Sequence, residues 1–185
     1  MNAARFFARW RVRLGYPLAI VVLLFAHPKP LSILWGGLVG VIGLLIRASA
    51  AGHLHKQEKL TVSGPYAYTR NPLYFGSAIL AAGSAIAMNS WISALVLCGY
   101  FALFYAIVMR REEGELRFHH GAAFDGYAKA VPLFVPRIRP AKLGQDGTAA
   151  FSLAQYKKNR EYRAAIGFSI LLVVLVVEWY LRLLH

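Results

Sequence analysis

The sequence contains a single cysteine, Cys98, and it lies inside a long apolar run. One thiol excludes an internal disulfide framework, and it leaves no Cys/His spacing of the kind that binds zinc. Acidic residues are also scarce, with eight Asp and Glu against 21 Lys and Arg. The chain therefore needs another source of stability than disulfides or structural zinc.

Charge is sparse as well, since charged residues make up 16% of the chain and hydrophobic residues 58%. Such a chain is too apolar for an ordinary soluble domain, and its long uncharged runs are typical of segments surrounded by lipid. The net charge of +13 would suit nucleic acid. Lysine and arginine, however, also accumulate in the cytoplasmic loops of membrane proteins and face anionic headgroups. We therefore expect the lipid bilayer as a partner, and no nucleic acid.

Five apolar segments divide the chain, at 14–26, 31–51, 73–88, 91–109 and 164–184. The first follows a basic, aromatic stretch that suits a signal peptide or an uncleaved membrane helix, and the later apolar segments favour the helix. In the second segment, three glycines share one helical face and permit close helix contact: Gly36, Gly40 and Gly43. We predict an all-α, multi-pass membrane helix bundle with about five transmembrane helices, as a single domain over residues 1–185.

The positions of the positive charges predict the orientation of this bundle. With a cytoplasmic N-terminus and five crossings, Lys29 and Arg182 are the only two of the 21 lysines and arginines on the outer side. The positive-inside rule favours this topology over its inverse. The two polar stretches, 63–76 and 110–140, then both lie on the cytoplasmic side.

The first polar stretch reads SGPYAYTRNPLYFG and lies between two apolar segments. Asn71-Pro72 predicts a helix start, because asparagine caps free backbone N–H groups and proline fits the first helical position. The positive end of that helix and the neighbouring Arg70 would attract an anion, such as a ligand carboxylate. The same residues also suit a plain capped membrane helix with interfacial aromatics and a snorkelling arginine.

The second polar stretch carries two adjacent acids, Glu112 and Glu113, at the end of an apolar segment. Acidic residues are unfavourable there unless they are paired or hydrated. They either form ion pairs with Arg110, Arg111 and Arg117 or hold a cationic group of a ligand.

Further along this stretch, His119 and His120 suit a solvated loop better than a catalytic or metal site. Phe124 and Tyr127, three residues apart, are expected to form one wall. Three prolines then hold the chain extended: Pro132, Pro136 and Pro140.

Together, the two stretches resemble the signatures of the isoprenylcysteine carboxyl methyltransferase and phospholipid methyltransferase superfamily. The first signature has a glycine, two aromatics, Arg-His-Pro, a tyrosine and a glycine. The second is matched by Glu112, Glu113, Leu116, Gly121, Phe124, Tyr127, Val131 and Pro132. The sequence departs from the pattern at Asn71, which replaces a histidine and is no base near neutral pH, and at His120 and Phe124.

The resemblance implies an integral membrane methyltransferase that uses S-adenosylmethionine and releases S-adenosylhomocysteine. Its catalytic residues would be Arg70, Asn71 and Glu113. Its cofactor-binding residues would be Tyr68, Arg70, Asn71, Pro72, Tyr74, Gly76, Glu112, Glu113, His120 and Tyr127, with no metal. The glutamates would receive the amino group, Arg70 and the helix start the carboxylate, and the aromatics the adenine or the sulfonium. The location implied is the cell membrane, in bacteria the inner one, with the active site facing the cytoplasm.

The acceptor stays open: a lipidic or small apolar molecule with a carboxylate, thiol or amine, entering sideways between helices. A carboxylate or thiolate needs no base, whereas an amine or neutral thiol would. One rival is a sterol-reductase-like protein that uses NADPH, which the short chain and the missing dinucleotide fingerprint disfavour. The other is a catalytically inactive membrane scaffold or lipid-binding protein of the same fold, which Asn71 and Phe124 would favour.

Overall fold

The computed structural model describes residues 15, 17–54, 60–142 and 150–184. These residues form helices, turns and extended connections, with no β-strand among them. A partly described helix, α1, covers residues 17–24. It is followed by α2 (Pro30–His53), a 3-10 helix (Gly64–Ala67), α3 (Pro72–Met88), α4 (Trp91–Ala130), α5 (Leu153–Lys158) and α6 (Tyr162–Leu183). The predicted all-α bundle is confirmed.

Three of the described helices are long and apolar enough to cross a membrane: α2, α4 and α6, with 24, 40 and 22 residues. The apolar helix α3 is shorter, with 17 residues. All three long helices expose large apolar side chains, for example Leu45, Leu95 and Val173, which suits contact with lipid. The count of five crossings, the single domain and the cytoplasmic N-terminus stay predictions, since residues 1–14 lie outside the described part.

The connections between the helices lie at the two ends of the bundle. At one end, the N–H of His27 donates to Met88 O at 2.8 Å, and Arg182 Nη2 donates to Ala26 O at 2.7 Å. Arg182 also pairs with Glu178 at 2.6 Å, as the i, i+4 spacing of these two residues on a helix predicts. The opposite end holds the last turns of α2, the start of α3 and the polar half of α4. Both polar stretches of the sequence therefore lie at the same end.

Glycines bring α2 and α3 into direct backbone contact. Gly36, Gly40 and Gly43 are all buried, which confirms the close packing predicted from their spacing. A Cβ on Gly43 would lie 2.7 Å from Gly76 O, and one on Gly83 would lie 2.5 Å from the backbone N of Gly40. Close backbone packing of this kind holds membrane helices together where lipid provides no hydrophobic drive.

Two neighbouring glycines of α2 give a matched test of this contact. In Gly36→Ala the new methyl would meet the backbone of Ala87 and lie 2.5 Å from Gly83 O. In Gly37→Ala it would lie 3.6 Å from Leu172 Cδ1, an ordinary contact. We expect Gly36→Ala to lower the free energy of unfolding by about 1–3 kcal/mol, as overpacking does, and Gly37→Ala to change it little. Thermal unfolding in detergent measures both, and equal losses would contradict the proposed backbone contact.

The helix α4 continues well beyond the apolar segment that predicts it. The segment ends at Met109, but helical structure runs on to Ala130, with one break at Gly121, where φ is 50° and ψ is −126°. The expectation that His119 and His120 lie on a loop is therefore wrong. The polar stretch is rich in arginine and glutamate, which favour helices, and it contains no proline before position 132. Glu112 and Glu113 therefore lie on the same helix as the apolar segment.

Candidate functional site

The two polar stretches are joined by main-chain hydrogen bonds. The N–H of Arg70 donates to Pro132 O at 2.9 Å, and the N–H of Arg137 donates to Tyr68 O at 3.0 Å. The segment 132–141 therefore runs antiparallel to the residues that precede α3. It is non-helical throughout, as its prolines predict.

Side chains strengthen the same contact. Thr69 Oγ1 donates to Phe134 O at 2.9 Å, and Asn71 Nδ2 donates to Leu133 O at 2.9 Å. Pro72 is the first residue of α3, as predicted, but the buried Asn71 makes no side-chain capping bond. The predicted cap is wrong because the carboxamide turns away from the helix end and towards the segment that folds back over it.

Arg70 and Glu113 meet at this place. Arg70 Nη1 lies 2.5 Å from Glu113 Oε1, and the two side chains are only 14% and 19% exposed. Among the described residues, neither Arg70 Nε nor Glu113 Oε1 makes a hydrogen bond of normal geometry, although both atoms are buried. The Arg70 Nε–H is therefore a donor without a partner in the described part of the chain, which costs about 1–3 kcal/mol when buried. Glu113 Oε1 is contacted by Arg70 Nη1 and keeps a second lone pair that could accept from a ligand.

The sequence left open whether the two glutamates pair with nearby arginines or hold a cationic group of a ligand. The structure shows which arginine pairs with Glu113. Glu113 pairs with the distant Arg70, whereas Arg111 pairs with Glu115 at 2.8 Å and Arg117 pairs with Asp125 at 2.8 Å. The arginine partner of Glu113 thus comes from the other polar stretch.

Glu112 lies beside an aromatic wall. Tyr74 Oη donates to Glu112 Oε1 at 2.5 Å, and the Tyr74 ring stands edge-on to Tyr105, with centroids 5.2 Å apart. Phe101 stacks on Tyr105 at 4.2 Å. Neither Tyr105 nor Phe101 was predicted for the site, since both lie within an apolar run where aromatics are ordinary. Their i, i+4 spacing on one helical face is the one signal that pointed to them.

Tyr127 and Phe124 do form one wall, but a buried one. Their ring centroids are 6.2 Å apart, and Tyr127 Oη donates to Tyr66 O at 2.8 Å. Burial raises the pKa of the Tyr66 phenol well above its usual value, so this group stays neutral. The structure thus uses Tyr127 to hold the 3-10 helix against α4.

The other predicted residues have different surroundings. Gly76 faces α2, where an added Cβ would lie 2.7 Å from Arg47 Cγ. His120 is half-buried and directly precedes the break at Gly121. In the part of the chain that the structure describes, no group of three or more His, Cys, Asp and Glu side chains is placed to hold a metal ion.

A cleft of about 520 Å³ lies between α2 and the start of α3. Its lining consists of Ile46, Ser49, His53, Gly64, Pro65, Tyr68, Thr69, Pro72, Phe75 and Pro136. Two predicted residues, Tyr68 and Pro72, belong to this lining, whereas Arg70 and Glu113 do not. The volume falls within the roughly 300–1,000 Å³ of ligand pockets.

Arg47 joins three helices at this end of the bundle. Its Nη2 lies 2.6 Å from Glu161 Oε2, and its Nη1 donates to Ser77 Oγ and, at 3.4 Å, to Leu73 O. The side chains of Arg47 and Glu161 are 19% and 14% exposed, so this arginine near the end of the second apolar segment is largely enclosed. Both residues also line a second cavity of about 270 Å³ on another side of α2.

Comparison with known proteins relates the region that carries Arg70, Glu112 and Glu113 to a protein family. Residues 46–122 match the family model described as phospholipid methyltransferase. The matched region belongs to the superfamily of integral membrane methyltransferases. This methyltransferase region includes Arg70, Glu112 and Glu113, and it ends directly after the break in α4.

Three relatives extend the comparison. The cobalt-zinc-cadmium resistance protein CzcN of Cupriavidus metallidurans is 32% identical over 145 residues, 70% of this chain and 62% of that protein. The nickel-cobalt-cadmium resistance protein NccN of Alcaligenes xylosoxydans is 35% identical over 83 residues, 45% of this chain and 38% of that protein. Protein-S-isoprenylcysteine O-methyltransferase of Schizosaccharomyces pombe is 31% identical over 88 residues, 48% of this chain and 37% of that protein.

The chain thus spans between 37% and 62% of the length of these relatives. No solved structure matches it.

Proposed function

We propose that this membrane protein transfers a methyl group from S-adenosylmethionine to a lipidic or small apolar acceptor at the cytoplasmic face of the cell membrane. Methyl transfer is supported by the match of residues 46–122 to the phospholipid methyltransferase family and by the similarity to an isoprenylcysteine O-methyltransferase. The observation that carries the choice of cofactor is the pair formed by Arg70 and Glu113.

This pair fits the amino-acid end of the cofactor, which carries a carboxylate beside an ammonium group. The buried Arg70 Nε–H is a donor for the carboxylate, and the buried Glu113 Oε1 is an acceptor for the ammonium. The N-terminus of α3, which begins two residues after Arg70, adds positive potential on the carboxylate side. A donor without a partner among the described residues, beside a carboxylate oxygen that can accept a second hydrogen bond, would suit a bound zwitterion.

The aromatic wall fits the remainder of the cofactor. Tyr74 bonds to Glu112 and packs edge-on against Tyr105, on which Phe101 stacks. Aromatic rings of this kind could hold a sulfonium by cation–π attraction or an adenine by stacking. When bound, the cofactor supplies a methyl group already activated on sulfur. The residues of the chain therefore have to hold its two charged ends, align the acceptor and exclude water.

The cytoplasmic placement is supported by charge. The end of the bundle that carries Arg70 and Glu113 also carries most of the basic residues, whereas the other end carries Lys29 and Arg182. Lysine and arginine are enriched in cytoplasmic loops. Asn71 is compatible with cofactor binding, because its carboxamide is bonded to Leu133 O and is not needed to hold a charge.

Calorimetry in detergent tests this function with S-adenosylhomocysteine as the probe. We expect the wild type to bind it with a micromolar Kd. Glu113→Gln should weaken binding about 10–100-fold, since a hydrogen bond to a charged group contributes about 1.5–3 kcal/mol.

Glu115→Gln is the matched control, because it removes the same charge from an exposed residue two positions away on α4. It should leave the Kd unchanged. A folded wild type that does not bind S-adenosylhomocysteine would instead support the inactive scaffold or lipid-binding protein.

A further inference from the structure

We propose that the second cavity, between α2, α5 and α6, holds one acyl chain of an anionic phospholipid, and that basic side chains of the α5–α6 connection bind the phosphate of this lipid. The occupant is a molecule of the surrounding leaflet, and it differs from both the cofactor and the methyl acceptor. The inference goes beyond methyl transfer and does not depend on it, because it rests on another part of the molecule.

The apolar walls of this cavity suit a hydrocarbon chain. They are supplied by four residues of α2 and one of α6: Val41, Leu44, Leu45, Ala48 and Ala165. The volume of about 270 Å³ lies just below the roughly 300–1,000 Å³ of small-molecule pockets. The cavity therefore has room for part of one acyl chain and not for a whole lipid.

The cavity borders the surface that faces lipid. Leu45 and Val41 line it, yet these residues are 64% and 48% exposed. They belong to α2, and Ala165 belongs to α6, and both helices are long and apolar enough to cross a membrane. A molecule that reaches the cavity from this side has to dissolve in the hydrocarbon of the bilayer, which favours a lipid over a water-soluble ligand.

The polar end of the cavity lies where the chain passes from α5 to α6. Tyr156 and Glu161 both line the cavity at this place. Three of the four residues between them in the chain are basic and exposed: Lys157, Lys158 and Arg160. Arg163, in the first turn of α6, is exposed as well. Positive charge is thus concentrated beside the polar end of an apolar cavity.

This charge is not balanced by neighbouring acids. Glu161 is already paired with Arg47, at 2.6 Å. Within the described ranges of the chain, Lys157, Arg160 and Arg163 take part in no ion pair. Basic pockets between membrane helices bind the headgroups of anionic lipids. The two features together, an apolar cavity and unbalanced cations at its polar end, match the two parts of an anionic phospholipid.

The connection that carries these cations is fixed to the end of α2. Asn159 Nδ2 donates to Ala51 O at 2.8 Å and to Leu54 O at 3.2 Å. The next residue, Arg160, has a φ of 55°, a conformation that suits glycine and is uncommon for a residue with a Cβ. An arginine at such a position indicates that its side chain is used, and phosphate is a preferred ligand of the guanidinium group.

Native mass spectrometry of the full chain, released from detergent, tests the site with two lipids of identical acyl chains. We expect the wild type to retain dioleoylphosphatidylglycerol and to bind dioleoylphosphatidylcholine much more weakly, because the latter carries no net charge. In the variant Lys157→Gln/Arg160→Gln/Arg163→Gln, affinity for phosphatidylglycerol should fall about 100-fold, since each basic residue near an anionic headgroup contributes about a fivefold factor.

The matched control removes the same charge from three exposed residues at the same end of the bundle: Lys129→Gln/Arg139→Gln/Lys142→Gln. It should retain phosphatidylglycerol as the wild type does. An equal loss in both triple variants would indicate a general attraction between charges and overturn the site. Equal binding of the two lipids by the wild type would overturn it as well.

Filling the cavity tests the acyl chain separately from the phosphate. Ala165→Leu places a larger apolar side chain in the cavity and keeps every basic residue. It should weaken binding of phosphatidylglycerol about tenfold, the equivalent of some two buried methylene groups, while thermal unfolding in lipid-free detergent shows an intact fold. Glycerol 3-phosphate, a headgroup without chains, should not displace the lipid. Unchanged binding in Ala165→Leu, or displacement by glycerol 3-phosphate, would overturn the lipid site and indicate a site for free phosphate.

Discussion

Exchanging the charges of Arg70 and Glu113 should restore the fold that either single change damages, but not the binding of S-adenosylhomocysteine. Arg70→Glu or Glu113→Arg alone places two like charges in a largely enclosed site, where losing a partner costs about 3–5 kcal/mol. The double variant recovers the ion pair. It also exchanges the positions of the guanidinium and the carboxylate, so the ammonium of the ligand would face a guanidinium and its carboxylate a glutamate.

Thermal unfolding and calorimetry in the same detergent separate the two effects. We expect the double variant to unfold within a few degrees of the wild type and to bind S-adenosylhomocysteine at least about 100-fold more weakly, the equivalent of some 3 kcal/mol. A charge exchange between Arg117 and Asp125, an exposed ion pair of α4, should leave both measurements unchanged. If the double variant bound as tightly as the wild type, the role of Arg70 and Glu113 would be purely structural.

Removing Arg47 should destabilise the protein more than removing any exposed ion pair. Arg47→Met leaves the carboxylate of Glu161 enclosed without its partner and removes the bonds from α2 to Leu73 O and Ser77 on α3. The expected loss is about 2–4 kcal/mol, somewhat below the value for a fully buried pair because both side chains keep some exposure. Adding Glu161→Gln should recover part of the loss, since the uncompensated charge is then gone.

A double-mutant cycle measures this coupling. Unfolding of Arg47→Met, Glu161→Gln and the double variant should give an interaction energy above about 1 kcal/mol. The same cycle on Arg111 and Glu115, an exposed i, i+4 pair of α4, should give no more than about 0.5 kcal/mol. An equally small value for Arg47 and Glu161 would show that helix packing alone holds this end together.

Sequence reasoning predicted the parts of the fold that depend on local pattern. The break before α2, the first position of α3 at Pro72 and the close glycine contact follow from residue types and spacing, and the structure has all of them. The polar half of α4 was missed because a charged stretch without a clear apolar face resembles a loop. Its break at Gly121 depends on one positive φ, which no periodicity reveals.

For the site, the sequence indicated which residues to consider but not how each is used. The meeting of Arg70 and Glu113 was expected from the resemblance to a family, and no local pattern predicts a contact across that distance in the chain. The turn of the Asn71 carboxamide towards Leu133 O depends on a segment that folds back from beyond α4.

The contact between the stretch before α3 and the segment 132–141 is made largely by backbone atoms, through the N–H and C=O groups of Arg70, Pro132, Arg137 and Tyr68. Two side chains add to these backbone bonds, since Thr69 Oγ1 and Asn71 Nδ2 donate to carbonyl groups of the same segment. The backbone bonds themselves would remain possible with histidine at position 71 or phenylalanine at position 120. The chemistry displayed at this end of the bundle could therefore change by substitution of side chains, without a redesign of the backbone that carries them.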